Sequence, residues 1–230
     1  MNHIGKAASD EKLRKSNADS LYQCFFKRIL DEAIAVQLLP LFLLLSIPIS
    51  ILIKAEDGGP VFYRSKRLGR GFREFSMLKF RSMRVNAPDL RNEDGGTYNA
   101  KDDPRVTRIG RKLRETSLDE LPQLLNVLAG QMSIVGPRPG DVESKDSYQE
   151  DEMAKLQVRP GITGYTQAYY RNSLGVREKR LLDAWYASHV TFFLDLKILL
   201  RTVVAVLKME DVYNSINSQD TEKQSSRLGQ

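Results

Sequence analysis

The chain has 230 residues, 41% hydrophobic and 28% charged, with a formal charge of +6 at pH 7, one cysteine and two histidines. Such a length suits one fair-sized core, and Cys24 alone excludes an intrachain disulfide or an all-cysteine metal site, while His3 and His189 give no basis for a histidine metal site or a histidine-based triad. The positive balance points to an anionic partner, and by itself does not choose between nucleic acid, a phospholipid surface and a phosphorylated small molecule.

Residues 1 to 20 are polar and lack aromatics, which predicts a loose tail or a surface helix. Residues 21 to 32 carry Phe25, Phe26 and Ile29 beside Lys27 and Arg28, a pattern for a helix entering at the headgroup level. The next stretch, "AIAVQLLPLFLLLSIPISILI" (33 to 53), holds no charge and as one helix reaches about 31 Å, near the thickness of a bilayer core. It begins too late for a cleaved signal peptide and lacks a small-residue cleavage pattern. Pro40 and Pro48 each remove an amide donor, so a kink or break is expected at one of them. Basic residues flank both ends, with Lys27 and Arg28 before and Lys54, Arg64, Lys66, Arg67 and Arg70 after. That symmetry is satisfied best by a re-entrant helix with both ends on the cytoplasmic side; a true span and a buried core helix are the alternatives.

"DGGPVFYRSKRLG" (57 to 69) reads as a turn and a short strand over Val61, Phe62 and Tyr63, and "REFSMLKFRSM" (73 to 83) as a second strand or the start of a helix. Residues 86 to 104, rich in Asn, Asp, Gly and Pro, form a surface loop in this reading. "RVTRIGRKLRE" (105 to 115) sets Val106, Ile109 and Leu113 at helical spacing against a basic face.

"SLDELPQLLNVLAGQMSIVGPRP" (117 to 139) then puts Asp119 and Glu120 at the head of a short apolar helix. Two readings stand there. Ser117 and Glu120 have capping-box spacing, and acids in a first turn are favourable against the helix dipole, so both carboxylates can be local structure. Alternatively, Arg105, Arg108, Arg111, Lys112 and Arg114 upstream and Arg138 and Arg159 downstream surround the two acids with excess positive charge. That is the balance phosphoryl chemistry needs: guanidinium groups hold a polyphosphate, a carboxylate pair holds a divalent ion, and Asp119 is free to act as a nucleophile.

Beyond Pro139, "VESKDSYQEDEMAKLQV" (142 to 158) reads as a polar helix ended by Pro160 and Gly161. "GITGYTQAYYRN" (161 to 172) has the Gly, Thr and Tyr content of strands and loops around a pocket. Two helical segments follow, the second from about Thr191 to Lys208 with a wide apolar face that is either sandwiched in the core or laid on the bilayer. Trp185 and Tyr186 mark either the interface or the core.

These residues carry a resemblance. The stretches "FKRILD" (26 to 31), "GGPVFYRSKRLGRGFREFSMLKFRSM" (58 to 83), "DDPRVTRIGRKLRETSLDELPQLLNVLAGQMSIVGPRP" (102 to 139), "VRPGITGYTQ" (158 to 167) and "FFLDLKILLRTVVAVLK" (192 to 208) resemble the bacterial sugar transferases acting on polyprenol phosphate, the monotopic phosphoglycosyl transferases. The resemblance implies transfer of a phosphosugar from a nucleoside diphosphate sugar, usually a UDP-sugar, to undecaprenyl phosphate with release of UMP, as the first membrane step of glycan assembly. It places a catalytic dyad on Asp119 and Glu120, with Asp119 as nucleophile and Mg²⁺ held by the pair. Arg111, Arg114, Arg138 and Arg159 are the expected phosphate contacts, followed by Lys79, Arg81 and Arg171. It further implies the cytoplasmic face of the bacterial inner membrane, phospholipids as partners, downstream glycosyltransferases and a homodimer as possible associates, and no nucleic acid, since no recognition helix or aromatic platform accompanies the basic residues. Where relatives commonly read "GITGWAQVNGRN", this chain has Tyr165 for the tryptophan and Tyr169 and Tyr170 ahead of Arg171, a departure that bears on the donor sugar.

The expected architecture is α+β: a mostly helical, membrane-associated catalytic domain with an N-terminal re-entrant membrane helix and short β elements. Its parts are a tail (1 to 20), an anchoring helix (21 to 56), a phosphoglycosyl transferase core with interfacial amphipathic helices (57 to 210) and a polar tail (211 to 230). The length matches members built of the catalytic core alone.

Overall fold

The computed structural model describes residues 21 to 208, apart from 93–95, 97, 101 and 171–173. Both expected tails, and Arg171, lie outside the described residues.

A π-helical turn, Tyr22–Phe26, runs into α1, Lys27–Asp57, a single helix of 31 residues that ends at Gly58 in the left-handed conformation. The break expected at Pro40 or Pro48 is not there; the helix is continuous through both. Each proline frees only one carbonyl, that of Val36 or Leu44, and neighbouring turns hold the backbone in place. Its seating bears on the three readings of the segment. Near its start, Asp31 accepts from Ile134 N (2.9 Å) and Ser133 Oγ (2.7 Å); at its end, Glu56 accepts from the amides of Arg108 and Ile109 (2.6 and 3.0 Å), and Asp57 pairs with Arg81. Both ends are therefore tied to one globular unit, as a helix with both ends on one side of a bilayer requires. The inward face is Ala35, Phe42, Ile49 and Ile53, whereas Val36, Leu43, Leu44, Ile47 and Ile51 are exposed, so the helix is not a core helix. A contiguous apolar face of that size on an otherwise charged protein marks a membrane contact.

β1, Phe62–Leu68, and β2, Glu74–Phe80, form an antiparallel hairpin running from Phe62↔Phe80 to Leu68↔Glu74. β2 alternates Phe75 and Met77 inward, so Lys79 follows on the same face. α2, Arg108–Glu115, is capped by Thr107, whose hydroxyl accepts from Gly110 N at 2.9 Å. Gly110 lets this helix lie directly on Ser82: a Cβ there would press into the Ser82 carbonyl. Gly110→Ala is expected to cost about 3 kcal/mol, at the upper end of overpacking penalties, because backbone and not a flexible side chain must yield; a chemical melt measures it.

After a 3-10 turn, Leu118–Glu120, comes α3, Gln123–Leu128. Asn126 of α3 is buried, accepts from Leu78 N (3.0 Å) and donates to Ser76 O (2.8 Å) and Gln131 Oε1 (2.7 Å). It thereby satisfies the open edge of β2 and fixes the dyad's helix against Lys79's strand. β3, Ser133–Val135, pairs in parallel with β5, Gly161–Thr163, and β4, Gly140–Asp141, adds to β1. The stretch expected as one polar helix is instead two 3-10 segments, Val142–Ser147 and Glu150–Gln157, split at Tyr148 and Gln149 in extended conformation. Tyr148 leaves the helical path to bury its ring under Arg180 and against Phe72, and buried Glu152 is held by Arg177 and Arg180.

α4, Tyr165–Tyr169, α5, Val176–Ser188, and α6, Phe192–Leu207, close the fold. α6 buries Asp195, Ile198 and Ala205 and exposes Phe193, Leu200, Val203 and Leu207, so its wide apolar face is half core and half exposed. Trp185 is 42% exposed and stacks on His189, while Tyr186 is fully buried, so the pair divides between surface and core.

Candidate active site

Ser117 stands at φ +57°, in the left-handed region, and its hydroxyl caps nothing. The capping box that its spacing suggested is absent: only the backbone bond Glu120 N to Ser117 O (3.2 Å) forms, and α3 begins later, after Pro122. A non-glycine residue in that conformation is uncommon and has to be held there by its surroundings. Here it turns the chain sharply, so that Asp119 points inward.

Asp119 is buried, and its carboxylate takes no hydrogen bond among the described residues. Burial raises its pKa to about 6; Lys79 opposes the shift, Glu120 adds to it, and Arg114 and Arg138 again oppose it. Glu120 is bound by Lys79 Nζ at 2.6 Å, with Arg138 Nη1 at 3.9 Å. One carboxylate is thus held in place, and its neighbour is left unengaged among cations.

Four separate elements deliver these groups. Lys79 comes from β2, Arg114 from the last turn of α2, the dyad from the 3-10 turn, and Arg138 from the turn after β3. Arg114 is steadied by Ser82 Oγ (2.9 Å) and Asn99 Oδ1 (3.2 Å). The Gly136–Pro139 turn is fixed by backbone bonds, Gly136 N to Thr163 O (2.8 Å) and Gly161 N to Pro137 O (2.9 Å). Asp183 of α5 accepts from Arg138 N at 3.2 Å while bonded to Lys155 and Thr166. Rigid backbone therefore carries a half-exposed Arg138 side chain, an arrangement suited to grasping a ligand.

The remaining predicted residues sit elsewhere. Arg81 is committed to Asp57 and to the carbonyls of Pro60 and Met83, latching the end of α1. Arg159 pairs with Asp31 at 3.4 Å and lines a different cavity. Arg111 has no side-chain partner among the described residues and is not among the groups acting on Asp119. Sequence reasoning passed over Arg67, Gln123 and Gln167, which line the cleft with Lys79, Glu120 and Arg138. Gln167 Nε2 is a buried nitrogen without a hydrogen-bond partner among the described residues, and Gln167 lines the cleft with Glu120. The signal for Gln123 and Gln167 was their polarity within otherwise apolar or Gly/Thr-rich stretches.

Two adjacent hard carboxylates, Asp119 without a hydrogen bond among the described residues and Glu120 salt-bridged to Lys79, fit Mg²⁺ held jointly with phosphate oxygens and water. Among the described residues no group of three or more His, Cys, Asp or Glu is placed to hold a metal ion.

The fold and cleft define a domain seated on a membrane surface by one apolar helix, with a carboxylate pair set among cations. The chain belongs to the bacterial sugar transferase family, whose sequence profile it matches over residues 22–209. It is 39% identical over 200 residues to a UDP-galactose-lipid carrier transferase of Erwinia amylovora, covering 82% of this chain and 42% of that protein. It is 39% identical over 213 residues to the UDP-glucose:undecaprenyl-phosphate glucose-1-phosphate transferase of Xanthomonas campestris pv. campestris, covering 87% and 43%. The exopolysaccharide production protein ExoY of Rhizobium meliloti is 40% identical over 192 residues, covering 78% of this chain and 84% of its own length. The chain thus spans less than half the length of the first two and most of the third. With this membership, the apolar α1 locates the protein at the bacterial inner membrane, on its cytoplasmic face.

Proposed function

We propose that the chain transfers a phosphosugar from a nucleoside diphosphate sugar, a UDP-sugar by analogy with the named relatives, to undecaprenyl phosphate. The observation that carries this reading is the Asp119 carboxylate: buried, without a hydrogen bond among the described residues, and acted on by Lys79, Arg114 and Arg138. An anionic nucleophile approaches an anionic phosphorus only where fixed cations offset the repulsion, and this cleft supplies them.

In the first step an Asp119 Oδ attacks the phosphorus bearing the sugar; the bond from that phosphorus to the bridging oxygen breaks, and the nucleoside monophosphate leaves. In the second, a phosphate oxygen of the lipid attacks the same phosphorus and the aspartyl oxygen departs, restoring the carboxylate and giving a lipid diphosphosugar. No proton need move if the lipid phosphate enters as a dianion. Asp119 and Glu120 would hold Mg²⁺, which when bound supplies positive charge at the phosphate oxygens. Arg114, steadied by Ser82 and Asn99, and Arg138, on its fixed turn, orient the diphosphate; Lys79 holds Glu120 and adds charge. Arg111 and Arg171 remain further candidates for phosphate contact, whereas Arg81 and Arg159 are engaged by Asp57 and Asp31 of α1. In this reading residues 21 to 56 seat the chain among phospholipids and 57 to 210 carry the chemistry, so donor and acceptor meet the same carboxylate in turn, which predicts ping-pong kinetics.

The test is nucleoside monophosphate release by detergent-purified protein over a panel of UDP-sugars with Mg²⁺, with and without undecaprenyl phosphate. One sugar should give acceptor-dependent UMP release, and no more than one equivalent without acceptor. Release continuing past one equivalent without acceptor means hydrolysis and refutes transfer.

A further inference from the structure

A cavity of about 830 Å³ shares no lining residue with the dyad's cleft. It lies between the first turn of α1, the loop joining β1 to β2, and Val158 and Arg159. Its rim is cationic: Lys27, Arg28, Arg70, Arg73 and Arg159, against Glu74 as its one acidic lining residue.

Those cations are not equally occupied. Lys27 is consumed by Asp195, and Arg28 reaches Glu32 on its own helix at 2.9 Å. Arg159 touches Asp31 at 3.4 Å, but Asp31 already accepts from Ser133 Oγ and Ile134 N. Burial lowers the Arg159 pKa, Asp31 opposes the shift, and Arg28 and Arg70 add to it, so the like charges of Arg28, Arg70 and Arg159 repel one another here. Arg70 and Arg73 have no side-chain partner among the described residues. An anion seated among them would relieve that repulsion.

The loop that presents them is built for its shape. Gly71 and Phe72 are both left-handed, at φ +65° and +59°, and Gly69 N donates to Arg73 O at 2.8 Å. Phe72 packs edge-on against Tyr148, fixing the loop from behind while Arg70 and Arg73 flank the opening.

The other half of the lining is apolar, with Phe75, Val135, Val158, Ala187 and Val190 among it. Its lining adjoins exposed apolar residues: Lys27 and Arg28 share their turn with exposed Phe26 and Ile29, and Val190 lies two and three residues before exposed Phe192 and Phe193. A ligand matching this wall carries a phosphate ester at one end and carbon at the other, and it is delivered from the bilayer.

We propose that this cavity binds the headgroup of an anionic phospholipid, with Arg70, Arg73 and Arg159 on its phosphate and the apolar wall on its glycerol and first acyl carbons. The bound lipid does not react, because neither dyad carboxylate lines the cavity; it orients the domain on the membrane by clamping the hairpin loop and the start of α1 to one lipid. The proposal takes the membrane seating as given and stands apart from the transfer chemistry.

Native mass spectrometry of protein released from nanodiscs of phosphatidylcholine with a minority of phosphatidylglycerol tests it, with no turnover in the readout. Wild type should retain one phosphatidylglycerol in excess over phosphatidylcholine. Arg70→Gln with Arg73→Gln, both at exposed positions, should cut that retention at least tenfold, whereas Arg64→Gln with Lys66→Gln, an equal charge loss on β1 outside the cavity, should leave it intact. Equal loss in both double variants would mean diffuse attraction to a basic surface and overturn the site. Displacement of the lipid by soluble UDP or glycerol 3-phosphate would assign the cavity to a free phosphate ester and overturn the lipid assignment. Displacement by undecaprenyl phosphate alone would make it an acceptor site and overturn the non-reacting role.

Discussion

Asp119→Asn is expected to abolish turnover and, in the same protein, to raise the melting temperature. The activity loss follows from replacing an anionic oxygen nucleophile by a neutral carboxamide of the same shape, and should reach on the order of 10⁴-fold or more. The stability gain follows from burial. Folding raises the Asp119 pKa from 3.8 to about 6. Below pH 4 the group is protonated in both states and contributes nothing; between pH 4 and 6 the folded state holds the extra proton, so stability falls as pH rises; above pH 6 the full penalty persists. At about 1.4 kcal/mol per pH unit it amounts to about 3 kcal/mol at pH 7. Asparagine carries no such charge, so its advantage should grow across pH 4 to 6 and reach about 6 to 12 °C at pH 7 for a domain of this size. The wild-type first half-reaction should correspondingly lose activity about tenfold per pH unit below about pH 6. A D119N protein that turns over, or one that melts lower than wild type at pH 7, refutes the buried-nucleophile assignment.

Composition and pattern made part of this architecture readable. The charge-free run 33 to 53 announced the anchor, and basic residues at both flanks suggested that its two ends stay together, in keeping with their ties to Ser133 and to α2. The strand alternation of β2 and the amphipathic period of α2 were likewise local and visible. What was not visible depended on partners distant in sequence. The prolines of α1 were read as breaks because their clash is local, whereas the packing that keeps the helix continuous comes from β2, α3 and β3. Ser117 and Glu120 met the capping spacing, but the left-handed turn at Ser117 depends on a fold that no four-residue window contains. Arg81 and Arg159 looked like Arg114 and Arg138 in a list of basic residues; only the positions of Asp57 and Asp31, both on α1, direct them away from the dyad. Asn126 read as one polar residue in an apolar helix, since the strand edge that it satisfies lies 48 residues away.

Asp195 sets the second large effect. Its carboxylate, buried in the first turn of α6, pairs with Lys27 and accepts from the hydroxyls of Tyr22 (2.7 Å) and Tyr186 (2.6 Å). Four elements converge on this one group: the π-helical turn, α1, α5 and α6. Asp195→Asn keeps an acceptor for only one of the two tyrosines, whose hydroxyls bond to different oxygens, and leaves the Lys27 ammonium buried without its counter-charge; breaking a buried pair from one side costs about 3 to 5 kcal/mol. The expected fall in melting temperature is about 6 to 20 °C. Replacing both partners, Lys27→Met with Asp195→Asn, removes the uncompensated charge while Met fills the stem's space, and should recover most of the loss. The sign of that recovery separates two accounts of the network. If the pair acts as paired charge, the double variant is more stable than D195N alone. If Asp195 acts chiefly as a hydrogen-bond hub for Tyr22 and Tyr186, the double variant gains nothing over D195N, because removing Lys27 does not restore the acceptor oxygen that one tyrosine has lost. Proteolysis at the start of α1 reads the same difference independently, since the helix's N-terminal turn stays docked on α6 only while this group holds it.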